Sequence, residues 1–214
     1  MTRIFAARTT GFDPDSAVLR ARLSSSRLAY IDGLHGVSRT QSFTASLLLD
    51  HAMQCCFPAV PRPLALSVRE GGKPYLTDAP HVHFSLSHSG GWAVCAVSDH
   101  PVGVDIQRRE TGRRDIAARF FHPNEVQYLH SLSPADREQA FYTLWALKES
   151  CVKADGRGLR LLRHFCVDIS ENTPRVTVGA PCSLFLPAFP DPAYQLALCV
   201  LAEQETVPEI HIFA

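Results

Sequence analysis

Residues 141–153, Phe-Tyr-Thr-Leu-Trp-Ala-Leu-Lys-Glu-Ser-Cys-Val-Lys, predict a helix that carries charges on its apolar side. With about 3.6 residues per turn, one stripe of this helix is apolar. The stripe consists of Phe141, Leu144, Trp145 and Val152. Lys148 lies in the middle of the stripe, and Glu149 and Lys153 lie on its flank. Burying an ion costs several kcal/mol unless a partner is present. We therefore expect either a ligand, metal or partner charge beneath the helix, or a Lys–Glu pair that reaches solvent at the stripe's edge.

The composition is that of an ordinary globular protein without a strong overall charge. The chain has 214 residues, of which 46% are hydrophobic and 20% charged, values typical of globular domains. The 21 basic and 21 acidic residues give a formal net charge of zero. A bulk nucleic-acid binder and a polybasic membrane anchor are therefore not expected. Any anionic ligand has to be held by a local cluster of residues.

The cysteines and the N-terminal segment indicate a reducing compartment. Seven cysteines without a Cys-x-x-Cys pair fit neither a disulfide framework nor a zinc ribbon. Cys151 lies in the middle of the predicted helix with no base nearby in sequence, so a thiol nucleophile is not expected. Residues 1–14 contain no apolar signal-peptide core, and no stretch of about 18 apolar residues occurs. We expect a cytoplasmic protein.

Periodicity and turn residues predict two similar α+β subdomains, residues 1–101 and 102–214. The first contains a helix at 43–57 with Ser42 as N-cap, and strands at 64–68, 82–87 and 92–98. The second contains a strand at 102–106, helices at 123–132 and 134–154, and strands at 165–169, 175–178, 182–186 and 194–202. Ser133 is the expected N-cap of the longer helix, and Gly156 is expected to end it.

Asp105 is the first candidate metal ligand. Residues 102–107 alternate with period two, so Asp105 and Gln107 project from the same face, beside an open position at Gly103. A carboxylate with an amide oxygen two residues on is a plausible half-site for Mg²⁺. The alternative is an ordinary strand-end aspartate that hydrogen-bonds to a loop.

Two turns could bind phosphate. Residues 85–91 place three serines, His88 and two glycines between two strands, and hydroxyl groups, imidazole and exposed backbone N–H groups suit phosphate oxygens. The alternative is a polar hairpin with glycines in the turn. Residues 71–75 form a turn with one cation, Lys73, which could equally be solvated. Glu125 is explained by its place in the first turn of a helix.

The order of these motifs resembles one enzyme family. The motifs are Gly-Lys-Pro at 72–74, Ser-Leu-Ser-His-Ser-Gly at 85–90, Val-Gly-Val-Asp-Ile at 102–106, Arg-Phe-Phe-x-x-x-Glu at 119–125 and Trp-Ala-Leu-Lys-Glu-Ser-x-x-Lys at 145–153. Together they closely resemble the Sfp-type 4′-phosphopantetheinyl transferases, strongly over residues 71–159 and more weakly over the whole length.

The resemblance implies both an activity and a fold. Such enzymes move the phosphopantetheine arm of coenzyme A onto a serine of an acyl or peptidyl carrier protein and release adenosine 3′,5′-bisphosphate. They require Mg²⁺. They fold as two similar α+β halves related by pseudo-twofold symmetry, with coenzyme A in the cleft between them. Because one chain supplies both halves of the cleft, we expect a monomer.

Residue roles follow from the resemblance, motif by motif. Asp105 and Glu149 would be the Mg²⁺ ligands, and Glu149 would also act as the base, or orient a water, for the incoming serine. Lys153 would neutralise the pyrophosphate of coenzyme A. The further expected coenzyme A contacts are Lys148 in support of Lys153, Ser87 and His88 at the phosphates, Gly72, Lys73 and Pro74 at the adenosine end, and Ser42 at the nucleotide. For the 3′-phosphate, Arg27 is the nearest candidate and Arg39 the second.

The chain departs from the family pattern at Gln107, where many members have glutamate. Either the amide or a water then supplies the third metal ligand. A nucleotide- or carrier-binding module without turnover is therefore a second hypothesis, and a metal-dependent phosphohydrolase is a third. Segments 108–116 and 186–193 could contact a carrier protein, but nothing in them specifies which one.

Overall fold

The computed structural model describes residues 1–110, 116–171, 173–203 and 206–213, and it has an α+β fold. The helices are α1 (Ala17–Arg20), α2 (Ser25–Asp32), α3 (Gly36–Cys56), α4 (Ala117–Phe120), α5 (Pro123–Ser131) and α6 (Pro134–Asp155), with 3₁₀ turns at Thr9–Gly11 and Leu159–Leu161. The strands are β1 (Thr2–Arg8), β2 (Leu66–Val68), β3 (Pro74–Leu76), β4 (His83–Ser89), β5 (Trp92–Ser98), β6 (Val102–Arg108), β7 (Cys166–Asp168), β8 (Arg175–Val178), β9 (Ser183–Phe185), β10 (Tyr194–Val200) and β11 (Ile210–Phe213). The predicted α+β class is confirmed.

Two sheets face each other, and a long helix covers the outer side of each. The first sheet has the order β11-β1-β5-β4 and the second has the order β6-β10-β9. Successive side chains of β5 point to opposite faces of the first sheet. Cys95 and Val97 pack toward α3, whereas Val94 and Ala96 pack against the second sheet. On β10, Leu198 faces the first sheet and Cys199 packs toward α6. The two helices are therefore separated by a central apolar layer between the sheets.

The second predicted subdomain contributes one strand to the first sheet. β11, from the second predicted subdomain, pairs in parallel with β1, with Ile4 opposite Ile210 and Ala7 opposite Phe213. The predicted limits at 1–101 and 102–214 thus do not separate the two sheets. None of the helices in the described part of the chain combines the length and apolarity needed to cross a membrane.

Helix ends follow the predicted signals at α6 but not at α3. Ser133 caps α6 by accepting a hydrogen bond from the Asp136 backbone nitrogen, and Gly156 ends the helix at a φ of 85°, as predicted. In contrast, α3 begins at Gly36, so the prediction of Ser42 as its N-cap was wrong. The first turns of α3 are exposed and polar, so they lack the apolar spacing from which a helix start is read. Ser42 lies buried within the helix.

Candidate active site

Gly103 brings strand β6 against helix α6. A Cβ atom at this position would lie 1.9 Å from the Ser150 carbonyl oxygen, so only glycine permits the observed distance. The position that we expected to be open is therefore filled by the helix backbone. Asp105 lies two residues further along the same face of β6. The close approach of strand and helix therefore places it beside Lys153 of α6.

The Asp105 carboxylate is the most densely bonded group at this contact. Its Oδ1 accepts hydrogen bonds from Ser87 Oγ at 2.8 Å and from Lys153 Nζ at 2.7 Å, and its Oδ2 accepts one from Gln107 Nε2 at 2.8 Å. Asp105 is only 2% exposed. The Lys153 ammonium thus supplies the positive charge beside a carboxylate that is nearly removed from solvent.

Glu149 adds a second carboxylate to the same place. The pKa of Glu149 is raised to about 7, mainly by burial and also by the charge of Asp105, while Lys153 opposes the shift. Two carboxylates that repel each other and share one ammonium favour a divalent cation, and Mg²⁺ prefers oxygen ligands of this kind. Asp105 and Glu149 therefore fit the metal site expected from the sequence motifs.

A cleft of about 290 Å³ opens in front of Glu149 and Lys153. Both halves of the chain line it, with Gly72 and Lys73 from the β2–β3 turn, Pro74 from the start of β3, and Ser85 and Leu86 from β4. The cleft is wide enough for several atoms of a ligand and brings that ligand against the two charged residues.

The β2–β3 turn is fastened to the end of α6. Lys73 Nζ donates to the carbonyl oxygens of Ala154 and Val102 at 2.8 and 3.1 Å. Burial lowers the pKa of Lys73 to about 8. A Cβ atom at Gly71 would lie 1.8 Å from the Gly156 carbonyl oxygen, so the turn needs glycine for this contact. The Lys73 ammonium thus joins the two halves, while the remainder of the residue faces the cleft.

Three serines of β4 connect the two sheets. Their hydroxyl oxygens accept hydrogen bonds from backbone nitrogens of β6, in the pairs Ser85–Val104, Ser87–Ile106 and Ser89–Arg108, at 3.0, 3.3 and 2.9 Å. Ser87 is buried and also donates to Asp105. In this structure the Ser87 hydroxyl holds β6 and the Asp105 carboxylate, so its expected phosphate contact stays a prediction.

His88 lies on the exposed side of β4, since successive residues of a strand point to opposite faces. Desolvation by the surrounding chain lowers the pKa of His88, and the charge of Lys153 lowers it further. Its imidazole is therefore neutral at pH 7 and offers one donor and one acceptor near Lys153.

Arg27 and Ser42 come together near the outer end of the site. Arg27 donates from Nη2 to Ser42 Oγ at 3.0 Å and from Nε to Ser46 Oγ at 2.8 Å. Burial lowers the pKa of Arg27, and no ion pair within the described residues includes it. Arg39 instead pairs with Asp15 at 2.7 Å and with Asp32 at 3.3 Å. Of the two candidates, Arg27 is therefore the one whose charge is left for an anion.

Lys148 does not reach the cleft, which corrects its expected role. It is fully buried and donates to Glu125 at 2.8 Å and to the Phe165 carbonyl oxygen at 2.8 Å. Glu125 also accepts hydrogen bonds from the backbone nitrogens of Val167 and His122. The partner charge expected under the helix is thus Glu125. The sequence explains Glu125 as a residue of the α5 capping box, and this local pattern does not indicate that its carboxylate also pairs with Lys148.

The fold brings Asp105, Glu149, Lys153 and His88 near one another, and Glu149 and Lys153 line the cleft together with the β2–β3 turn. Arg27 and Ser42 meet on α2 and α3. Ser87 and Lys148 are committed to internal contacts. The 111–115 part of the predicted carrier-contacting segment lies outside the described residues.

Comparison with known proteins gives the same family as the motifs. A family model described as the 4'-phosphopantetheinyl transferase superfamily matches residues 101–199. A 4'-phosphopantetheinyl transferase of Bacillus subtilis is 35% identical over 170 residues, covering 77% of this chain and 75% of that protein. The 4'-phosphopantetheinyl transferase Sfp of Bacillus subtilis strain 168 is 36% identical over 141 residues, covering 64% and 62%.

One solved structure shows a weaker similarity. The crystal structure of Thermotoga maritima holo-acyl-carrier-protein synthase matches with a TM-score of 0.41 and 22% identity, covering 49% of this chain and 64% of that chain. A likeness at this level carries no inference about the present fold.

Proposed function

Because the chain belongs to the Sfp-type 4′-phosphopantetheinyl transferase family, we propose that it moves the 4′-phosphopantetheine group of coenzyme A onto a serine of an acyl or peptidyl carrier protein. The chain is an enzyme of the phosphopantetheinyl transferase class. The observation that carries the finer proposal is the contact of Lys153 with Asp105 beside the raised pKa of Glu149. One ammonium and two carboxylates at a cleft suit a pyrophosphate and a divalent cation.

Asp105 and Glu149 would hold Mg²⁺ in this proposal. When bound, the ion would supply positive charge to a pyrophosphate in the cleft. Lys153, which pairs with Asp105 in this structure, would then be available to the pyrophosphate as well. Ser87 holds Asp105 through its hydroxyl group at 2.8 Å, so the carboxylate keeps its orientation without a further ligand.

Glu149 is the proposed acceptor of the proton from the carrier serine, directly or through a water. The carrier's hydroxyl oxygen forms the new bond to phosphorus, its proton passes to Glu149, and adenosine 3′,5′-bisphosphate leaves. Glu149 lines the cleft in which coenzyme A and the carrier serine would meet. One chain supplies both Asp105 and Glu149, so a monomer suffices for the reaction.

The proposed coenzyme A contacts follow the cleft. His88 would bind a phosphate oxygen as a neutral imidazole, and Gly72, Lys73 and Pro74 would lie against the adenosine. Arg27, with Ser42 beside it, would bind the 3′-phosphate, because a charged guanidinium and a hydroxyl are both donors to such an oxyanion.

The deciding experiment is a transfer assay with coenzyme A, Mg²⁺ and several purified apo carrier proteins. We expect the carrier to gain the mass of one phosphopantetheine, and a carrier whose acceptor serine is replaced by alanine to gain none. Absence of transfer to every carrier would contradict the proposal. Phosphate release from coenzyme A without a carrier would favour the phosphohydrolase instead.

Replacing Gln107 with glutamate is expected to strengthen Mg²⁺ binding. The amide of Gln107 now donates to Asp105, whereas a third carboxylate would add an anionic ligand, so the Mg²⁺ concentration for half-maximal rate should fall on the order of tenfold. Gln195→Glu is the matched control, because Gln195 lies directly opposite Gln107 on β10 but bonds to Arg109. If wild-type protein is inactive and Gln107→Glu is active, the binding module without turnover is the better description.

A further inference from the structure

Three cysteines meet behind the cleft, in the contact between α6 and the second sheet. Cys151 lies on α6, Cys182 precedes β9 and Cys199 lies on β10. Their Sγ atoms all lie within 4.8 Å of one another. Among the described residues, no other group of three or more histidine, cysteine, aspartate or glutamate side chains lies close enough together to bind one metal ion. The cysteines are 31 and 17 residues apart, so no short sequence motif announces them.

Two of the three sulfurs belong to buried residues of regular secondary structure, and the third belongs to a partly exposed residue. Cys199 is 0% exposed and Cys151 is 9% exposed, and both are anchored by regular secondary structure. Cys182 is partly exposed, and residues 179–181 before it are exposed. Apolar side chains such as Leu147 and Leu184 belong to the surrounding cluster. An ion therefore has a path to the two buried sulfurs through Cys182.

The spacing suits coordination of one ion by three sulfurs. With a metal–sulfur distance of about 2.3 Å, three sulfurs in a plane around an ion lie about 4 Å apart. The observed spread of 4.8 Å is reached from that value by small side-chain rotations. All three cysteines are free thiols. Thiolates select soft cations over Mg²⁺, which prefers oxygen ligands.

We propose that Cys151, Cys182 and Cys199 bind one soft, thiophilic cation of the Zn²⁺ or Cu⁺ type, separately from the cleft. Binding replaces three S–H bonds by three sulfur–metal bonds and releases three protons to solvent, with no change of oxidation state. The ion links α6 to β10 and to the segment before β9. Because it binds the folded chain, it stabilises that chain by a free energy that grows with the logarithm of its concentration above the dissociation constant.

Cadmium is a suitable probe, because its bonds to thiolates give an ultraviolet charge-transfer band. The starting protein carries Cys55→Ser and Cys56→Ser, since these adjacent thiols lie near His51, with Cys55 Sγ 3.6 Å from His51 Nε2, and could bind the probe themselves. In this reduced protein we expect the band to saturate at one Cd²⁺ per chain, and the melting temperature to rise with Cd²⁺ concentration.

Cys182→Ser is the decisive variant, because Cys182 is the least buried of the three and its loss leaves the core intact. We expect loss of the stoichiometric band and of the thermal shift, with an unchanged circular dichroism spectrum. Cys95→Ala, which removes a buried thiol of the first sheet, should keep both. A band that survives Cys182→Ser, the absence of any band, or a disulfide between two of the three cysteines in the reduced protein would overturn the proposal.

Discussion

Replacing Glu149 with glutamine is expected to abolish phosphopantetheine transfer and, at the same time, to stabilise the metal-free protein above pH 7. The loss of activity follows from the two proposed tasks of the carboxylate, metal binding and proton acceptance. Removing charge stabilisation of several kcal/mol from a transferring phosphoryl group lowers the rate on the order of a thousandfold or more. Glutamine keeps the size of the side chain, so the cleft retains its shape.

The gain in stability follows from the raised pKa. In the folded chain the pKa of Glu149 is about 7, against an ordinary value of 4.5. Below pH 4.5 the group is protonated in both states and costs nothing. As the pH rises through 7, the folded state has to hold a charge that the unfolded chain holds more easily, so stability is lost. After allowance for solvent screening, this loss is about 1–2 kcal/mol, and Glu149→Gln should abolish it.

Urea unfolding with a chelator present, across the interval from pH 4.5 to above 7, measures this difference. Glu138→Gln is the matched control, since Glu138 is exposed on the same helix α6 and should leave both activity and the pH profile unchanged. Retained transfer by Glu149→Gln would remove Glu149 from the catalytic assignment. Parallel stability profiles of variant and wild type would show instead that burial and Asp105 do not raise the pKa of this carboxylate.

Local sequence signals predicted the elements that carry Asp105, Glu149 and Lys153. Strand β6 has strict alternation, and α6 has a Ser-Pro start and a glycine end, so each is specified by nearby residues. Once the face of β6 and the turn of α6 are known, a contact between them places Asp105 opposite the 149–153 turn. Gly103 makes that contact possible, although its role is visible only when the helix backbone is in place.

The remaining features depend on residues far apart in sequence. Strands β1 and β11 were not predicted, and their mutual pairing joins residues about 200 positions apart. Ser87 donates a hydrogen bond to Asp105 and accepts one from the Ile106 backbone nitrogen of β6. Both require the two sheets to meet, which no spacing within 85–91 indicates. Likewise, the partner of Lys148 lies 23 residues away on another helix. Periodicity finds the face of an element but not what covers it.

The buried pair of Lys148 and Glu125 is expected to control stability rather than coenzyme A binding. Replacing Lys148 with methionine leaves the Glu125 carboxylate buried without its counter-charge, which costs about 3–5 kcal/mol. Burial lowers the pKa of Lys148, and the charge and hydrogen bond of Glu125 oppose that shift. The pair is therefore held together by mutual neutralisation, and removing one member should damage the fold more than removing the charge of both.

The double variant Lys148→Met/Glu125→Gln separates this role from the phosphate contact that the family motif implied. The glutamine carbonyl oxygen can still accept the hydrogen bond that Glu125 takes from Val167 at 2.7 Å, and no net charge remains in the core, so most of the lost unfolding free energy should return. At a temperature where all the proteins are folded, the KM for coenzyme A should equal that of wild type, because the Lys148 ammonium bonds within the core. Unchanged stability of Lys148→Met together with a raised KM would mean that Lys148 turns toward the pyrophosphate after all.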